Sequence, residues 1–213
     1  MTDLVLTRHG ETIWHSGNRY AGRTDIPLNQ CGQQQAQLLG RWAKRARLDA
    51  VWVSPLARAR DTAAPAAQAA GVRPHADDRL VELDFGDAEG LTGGQMRERF
   101  PEVRAAFESD PVEHHLPGGE DPRDALQRAI SCLTEIVGLF PDGRVLIVWH
   151  GTIHRLVLCH LLGMPLRDYR RIFPSIRNCG LTTVRWRDAN PAALREFNVP
   201  IELASGTETE TVE

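Results

Sequence analysis

LTRHGET, Leu6–Thr12, sets an arginine and a histidine side by side where an apolar run stops. Asp3–Thr7 reads as a first strand. Taken alone, a cationic pair followed by glycine is the ordinary solvated end of a strand. Its recurrence elsewhere changes that reading. AVWVS, Ala50–Ser54, is a second strand and leads into SPLARARDT, which carries Arg58. RVLIVW, Arg144–Trp149, is the most apolar strand pattern in the chain and runs into His150 of WHGT. Ligands of open parallel sheets bind outside the carboxyl ends of the strands. Arg8, His9, Arg58 and His150 are therefore expected to converge from distant positions.

Helical patterns fill the spaces between these strands. NQCGQQQAQLLGRWAKRA offers Asn29 as N-cap and Leu38, Leu39, Trp42 and Ala46 on one side. RARDTAAPAAQAAG is an alanine-rich helix ending at Gly71, which Pro65 should kink or confine to its first turn. Asp121–Phe140 is a long amphipathic helix, and GTIHRLVLCHLLG is another, closing at Gly163. GLTTVRW and LREFNV alternate like later strands of a hairpin. The alternation predicts an α/β fold, a three-layer α/β/α sandwich around a mostly parallel sheet. It is read as a single domain over 1–203, with a disordered tail at 204–213 and a helical insertion or lid at about 90–119.

At 213 residues the chain can bury roughly 70% of its unfolded surface without disulfide or metal staples. Its 25 Lys and Arg against 28 Asp and Glu argue against a general polyanion binder, so no nucleic-acid partner is expected. The absence of an eighteen-residue apolar run predicts no membrane span, and the immediate strand pattern predicts no signal peptide. Cys31, Cys132, Cys159 and Cys179 form no C-x-x-C pair, which fits a reducing cytoplasm.

The basic cluster suits phosphoryl transfer. Guanidiniums grip phosphate oxygens, and a neutral imidazole can attack phosphorus. His150 opens a helix, where backbone N–H groups favour an anion. A leaving oxygen also needs a proton. LVELDFGDAEGLT offers Glu82 between Leu80, Val81 and Leu83, where desolvation is expected to keep it protonated as a general acid.

These four ordered motifs, LTRHGET, SPLARARDT, LVELDFGDAEGLT and VWHGTIHR, closely resemble the histidine phosphatase superfamily, also called the phosphoglycerate mutase-like family. The resemblance covers about Leu4 to Gly163. It implies His9 as nucleophile, Arg8, Arg58 and His150 as the phosphate pocket, and Glu82 as proton donor. It also places Asn18, Arg23 and Thr24 near the pocket, with Gly151 and Thr152 at the phosphate. The family commonly has Trp-Asn after the nucleophile motif, and that asparagine helps bind phosphate. This chain has Trp14-His15, so either His15 substitutes as a donor or the contact passes to Asn18.

Several other motifs lead elsewhere. Cys179 and Arg185 have the C-x5-R spacing of cysteine-dependent phosphatases, but LTTVRW alternates like a strand where a phosphate loop is needed. Asp84–Gly86 spells DFG without a kinase's other motifs. His150 and His154 stand four apart, yet the H-E-x-x-H carboxylate is missing; His154 is read as helix-surface or substrate-facing. No metal and no cofactor are expected. The expected activity is metal-independent hydrolysis of small-molecule phosphate monoesters through phosphohistidine. The alternatives are a 2,3-bisphosphoglycerate-dependent phosphoglycerate mutase and an inactive module that binds phosphate esters.

Overall fold

A computed structural model describes residues 1–187 and 191–204. In β1 (Thr2–Arg8), Leu4 and Leu6 enter one buried cluster and Val5 another, because successive strand side chains point to opposite faces. α1 (Gln30–Ala46) begins at Asn29, whose side chain accepts from the Gly32 amide at 2.8 Å. Its Leu39 and Trp42 are buried on the Val5 side of the sheet, with Leu38 and Ala46 partly buried beside them. β2 (Ala50–Val53) follows, then α2 (Ala57–Ala70), closed by Gly71 at φ +70. Pro65 lies inside α2, beyond its first turn. Its ring lies against Gly40 of α1, where an added Cβ would come 3.0 Å from the proline Cβ.

β3 (Pro74–Ala76) is an exposed edge strand, too short to show a period in the sequence. The expected helical insertion comprises α3 (Gly93–Arg99) and α4 (Pro101–Ser109), anchored by buried Met96 and Phe107. α5 (Pro122–Leu139), β4 (Arg144–Trp149) and α6 (Gly151–Leu161) match the predicted helix, strand and helix. The short α7 (Tyr169–Ile172) precedes β5 (Leu181–Trp186) and β6 (Ala193–Val199), which pair as the expected antiparallel hairpin. α8 (Ile201–Ala204) follows. The expected tail is therefore corrected at Ala204, which belongs to a turn held by buried Ile201; residues 205–213 lie outside the described residues.

The sheet order is β3-β2-β4-β1-β5-β6, parallel from β3 to β1 and antiparallel beyond. Val145, Ile147 and Trp149 of β4 join α5 and α6 in one core, while Leu146 and Val148 join α1 and α2 in the other. That is the three-layer α/β/α sandwich. The carboxyl ends of β1 and β4 lie side by side, with Arg8 opposite Trp149.

Candidate active site

Because β1 and β4 end together, His9 and His150 leave the sheet as neighbours, their ring centroids 5.2 Å apart. His9 is 4% exposed and lines a cavity of about 340 Å³. Its Nδ1 lies 2.7 Å from the Gly10 carbonyl oxygen. A carbonyl only accepts, so Nδ1 carries the proton and Nε2 keeps its lone pair. Burial, then the charges of Arg8 and Arg58, hold His9 well below the ordinary histidine range. It is a neutral imidazole. Gly10 admits this geometry because α1 closes on it: an added Cβ would lie 2.6 Å from the Gly32 carbonyl oxygen.

Arg8 donates through NH1 to the Ile176 carbonyl at 3.1 Å and through NH2 to His15 Nε2 at 2.9 Å. Its Nε is buried and has no hydrogen-bond partner. A Cβ built on Gly151 would lie 3.3 Å from that Nε and 3.6 Å from NH1 of Arg155, so two guanidiniums flank the start of α6. Asn18, Gly151 and Thr152 also line the cavity.

Arg58 sits beside His150. It is 0% exposed and does not line the cavity. Its NH1 donates to the Thr24 carbonyl at 2.8 Å, its NH2 to the Gly22 carbonyl at 2.6 Å, and its Nε to His150 Nδ1 at 3.3 Å. That last bond leaves the His150 proton on Nε2, which faces Ser54 Oγ at 2.7 Å. Both ring nitrogens of His150 are thus used inside the protein. Burial, then Arg58 and His9, keep it neutral. Arg58 and His150 form a layer beneath His9.

Arg23 and Thr24 lie on the loop beside Arg58. The loop turns its carbonyls toward Arg58 and its side chains outward. Thr24 donates to Glu89 at 2.7 Å, and Arg23 pairs with Glu120 at 3.5 Å.

Glu82 lines the cavity and is 5% exposed. Its Oε1 accepts from the amides of Leu83 at 2.8 Å and Ile153 at 2.9 Å, and its Oε2 from that of Thr152 at 2.8 Å. Two of these three amides open α6, so the Glu82 carboxyl group caps the first turn of that helix. His154 is likewise not on the surface: it is 0% exposed and packs beside Trp149, because β4 lies under that face of α6. Among the described residues, no group of three or more His, Cys, Asp or Glu is placed to hold a metal ion.

The family model of the histidine phosphatase superfamily (branch 1) matches residues 4–199. The chain belongs to that superfamily. It is 31% identical over 169 residues to phosphoserine phosphatase 1 of Hydrogenobacter thermophilus, covering 79% of this chain and 80% of that one. It is 32% identical over 189 residues to the probable phosphoglycerate mutase GpmB of Citrobacter koseri, covering 89% and 87%. The solved structure of a mycobacterial glucosyl-3-phosphoglycerate phosphatase superposes with a TM-score of 0.84 at 28% identity, covering 92% and 98%.

In this histidine phosphatase superfamily member, His15 lines the cavity beside Arg8. Its Nε2 faces two donors, Arg8 NH2 at 2.9 Å and Asn178 Nδ2 at 3.2 Å. Its Nδ1 lies 2.8 Å from Thr12 Oγ1 and 3.0 Å from the Thr12 amide. The charged guanidinium outweighs the neutral amide as a donor, which makes Nε2 the acceptor and puts the proton on Nδ1. Burial, then Arg8, pull His15 down to about 4. His15 thereby holds Arg8 in place.

Sequence reasoning missed Arg155, Arg104 and Arg170, all of which line the cavity, as well as Asn178, which donates to the His9 carbonyl at 2.7 Å. Arg155 had a signal: it follows Gly151 by four positions in an otherwise apolar helix, the spacing of one helix face. The others come from α4, α7 and the segment before β5, with no local pattern pointing inward.

Proposed function

We propose that the protein is a phosphatase that hydrolyses small-molecule phosphate monoesters through a phosphohistidine on His9. The observation that carries the reading is the His9–Gly10 bond, which leaves Nε2 unprotonated beside Arg8. Nε2 attacks phosphorus, the bond from phosphorus to the ester oxygen breaks, and Glu82 protonates the departing alkoxide. Water then attacks the phosphohistidine, giving its proton to Glu82 and returning the electron pair to Nε2.

Arg8 and Arg155 meet the phosphoryl charge, Arg8 through its unpartnered Nε. Arg58 and His150 hold the floor in place. No metal or cofactor enters these steps. Two of the relatives above are named as phosphatases. Exposed Asn18 and Arg19 at the mouth leave a path for water, which favours hydrolysis over transfer to a second hydroxyl. The four free cysteines fit action in a reducing cytoplasm.

Rapid quench with a radiolabelled phosphate ester tests the reading. Acid-labile, base-stable label should appear on His9 and vanish in His9→Ala together with turnover. Full activity in that variant overturns the mechanism. With 3-phosphoglycerate and a trace of bisphosphoglycerate, isomer formation that outruns phosphate release would assign the mutase instead.

A further inference from the structure

Five arginines line the cavity (Arg8, Arg19, Arg104, Arg155 and Arg170) against a single carboxylate, Glu82. Glu82 is already engaged with three backbone amides. Arg8 suffices as a direct contact for one phosphoryl group, with Arg155 beside it. The remaining charge lies at the mouth.

Arg104 on α4 and Arg170 on α7 both stack on the Phe107 ring, at 5.8 and 5.3 Å from its centroid. Arg104 also lies 5.9 Å from the Tyr20 ring and is steadied by Glu108 at 2.6 Å. Arg19, Arg155 and Arg170 make no ion pair among the described residues. Arg155 is held by carbonyls alone, those of Phe173 at 2.7 Å, Pro174 at 3.1 Å and Gly151 at 3.4 Å. Burial, then the charges of Arg170 and Arg8, pull it down to about 10, so the three guanidiniums share one field.

Like charges gathered without counter-ions repel one another, and an anion seated among them removes that cost. Ring faces and carbonyls fix the Arg170 and Arg155 planes without neutralising them, and Glu108 offsets only Arg104, which leaves net positive charge and N–H groups for an incoming acceptor.

We propose that this mouth binds a second anionic group, so that the substrates are phosphate monoesters carrying a further carboxylate or phosphate. Arg104 and Arg170 receive that group, and Arg155 links their site to the phosphoryl floor. The proposal rests on the phosphatase reading for the word substrate, although not for the binding itself.

Two pairs of esters test it. Phosphoserine against phosphoethanolamine differs by a carboxylate, and propanediol bisphosphate against propanediol monophosphate differs by a phosphate. In at least one pair kcat/KM should favour the acidic member about tenfold or more, and the favoured pair identifies the second anion. The Arg104→Gln/Arg170→Gln double variant should cut that preference about tenfold, mainly through KM. Titration of the His9→Ala variant with the same esters reads the preference as Kd, without turnover. A Kd preference without turnover of any ester would overturn the phosphatase reading and leave this one standing. Equal handling of both members in both pairs, or a preference that survives the double variant, overturns the second-anion site.

Discussion

On the floor of the cavity, the side chains are held chiefly by backbone groups. His9 is fixed by the Gly10 carbonyl, Glu82 by three amides, and Arg58 by three carbonyls and His150. At the mouth, Arg104 and Arg170 rest on ring faces, and Arg170 and Arg19 are exposed. The floor bonds run mainly to backbone near strand ends and helix starts, which the sheet holds rigid. The mouth is assembled from side chains on the insertion and on α7. Chemistry is thus prebuilt below, while selection is carried above by residues that can change without disturbing the sheet.

The largest effect that would break this division is expected at Glu82. Glu82→Gln keeps the size and removes the proton donor. Hydrolysis of alkyl phosphates should slow by about 10²- to 10⁴-fold, with a much smaller loss for aryl phosphates, whose leaving group departs without a proton. Steady-state rates on both ester types check this. Equal losses would remove Glu82 from proton transfer and leave it a structural cap of α6.

Next in size is the support beneath the floor. His154 is fully buried, and neither ring nitrogen has a hydrogen-bond partner. Burial, then Arg155 and Arg8, lower it from 6.5 to about 3. Between those values the unfolded chain binds more protons than the folded one, so stability is present above about pH 6.5 and is lost as pH falls toward 3. By about pH 4 this one group removes on the order of 3 kcal/mol. His154→Leu should flatten the fall of Tm between pH 7 and 4 and raise Tm at neutral pH, where it removes unpaired buried nitrogens. Thermal melts with unchanged pH dependence would show that His154 is solvated or paired in solution.

The smallest effect lies at the seam between floor and mouth. His15 accepts from Arg8 only while neutral, and its depressed value of about 4 places the loss of that bond on the acid side. At saturating substrate the wild-type rate should decline as pH drops through about 4, as a second cation forms against Arg8. His15→Asn offers an oxygen acceptor that cannot protonate, so this limb should disappear. His15→Ala, with no acceptor, should cost about tenfold at neutral pH, the scale of a lost charge-assisted bond. Identical acid limbs in wild type and His15→Asn would separate His15 from Arg8.

Much of this architecture is legible in local sequence. Leu4, Val5 and Leu6 carry the period of two that sorts side chains between two cores, and Asn29 and Asp121 are caps readable from residue type alone. LTRHGET and WHGT place His9 and His150 at strand ends, and adjacency of β1 and β4 then suffices to bring them together. β3 was not legible, because three exposed residues show no period.

The sequence by itself determined the layers, the strand ends and the place of His9 and His150 at them, since each follows from periodicity or from a motif a few residues long. The tertiary structure decided what each charged side chain does. Arg58 lies under the floor because carbonyls of Gly22 and Thr24 are folded back onto it. His15 accepts because Arg8 and Asn178 meet at its Nε2 from opposite ends of the chain. Arg104 and Arg170 face one ring across more than sixty positions of sequence. A guanidinium or an imidazole takes its role from the donors and acceptors around it. In this protein those partners come from segments that only the folded sheet brings within hydrogen-bond range.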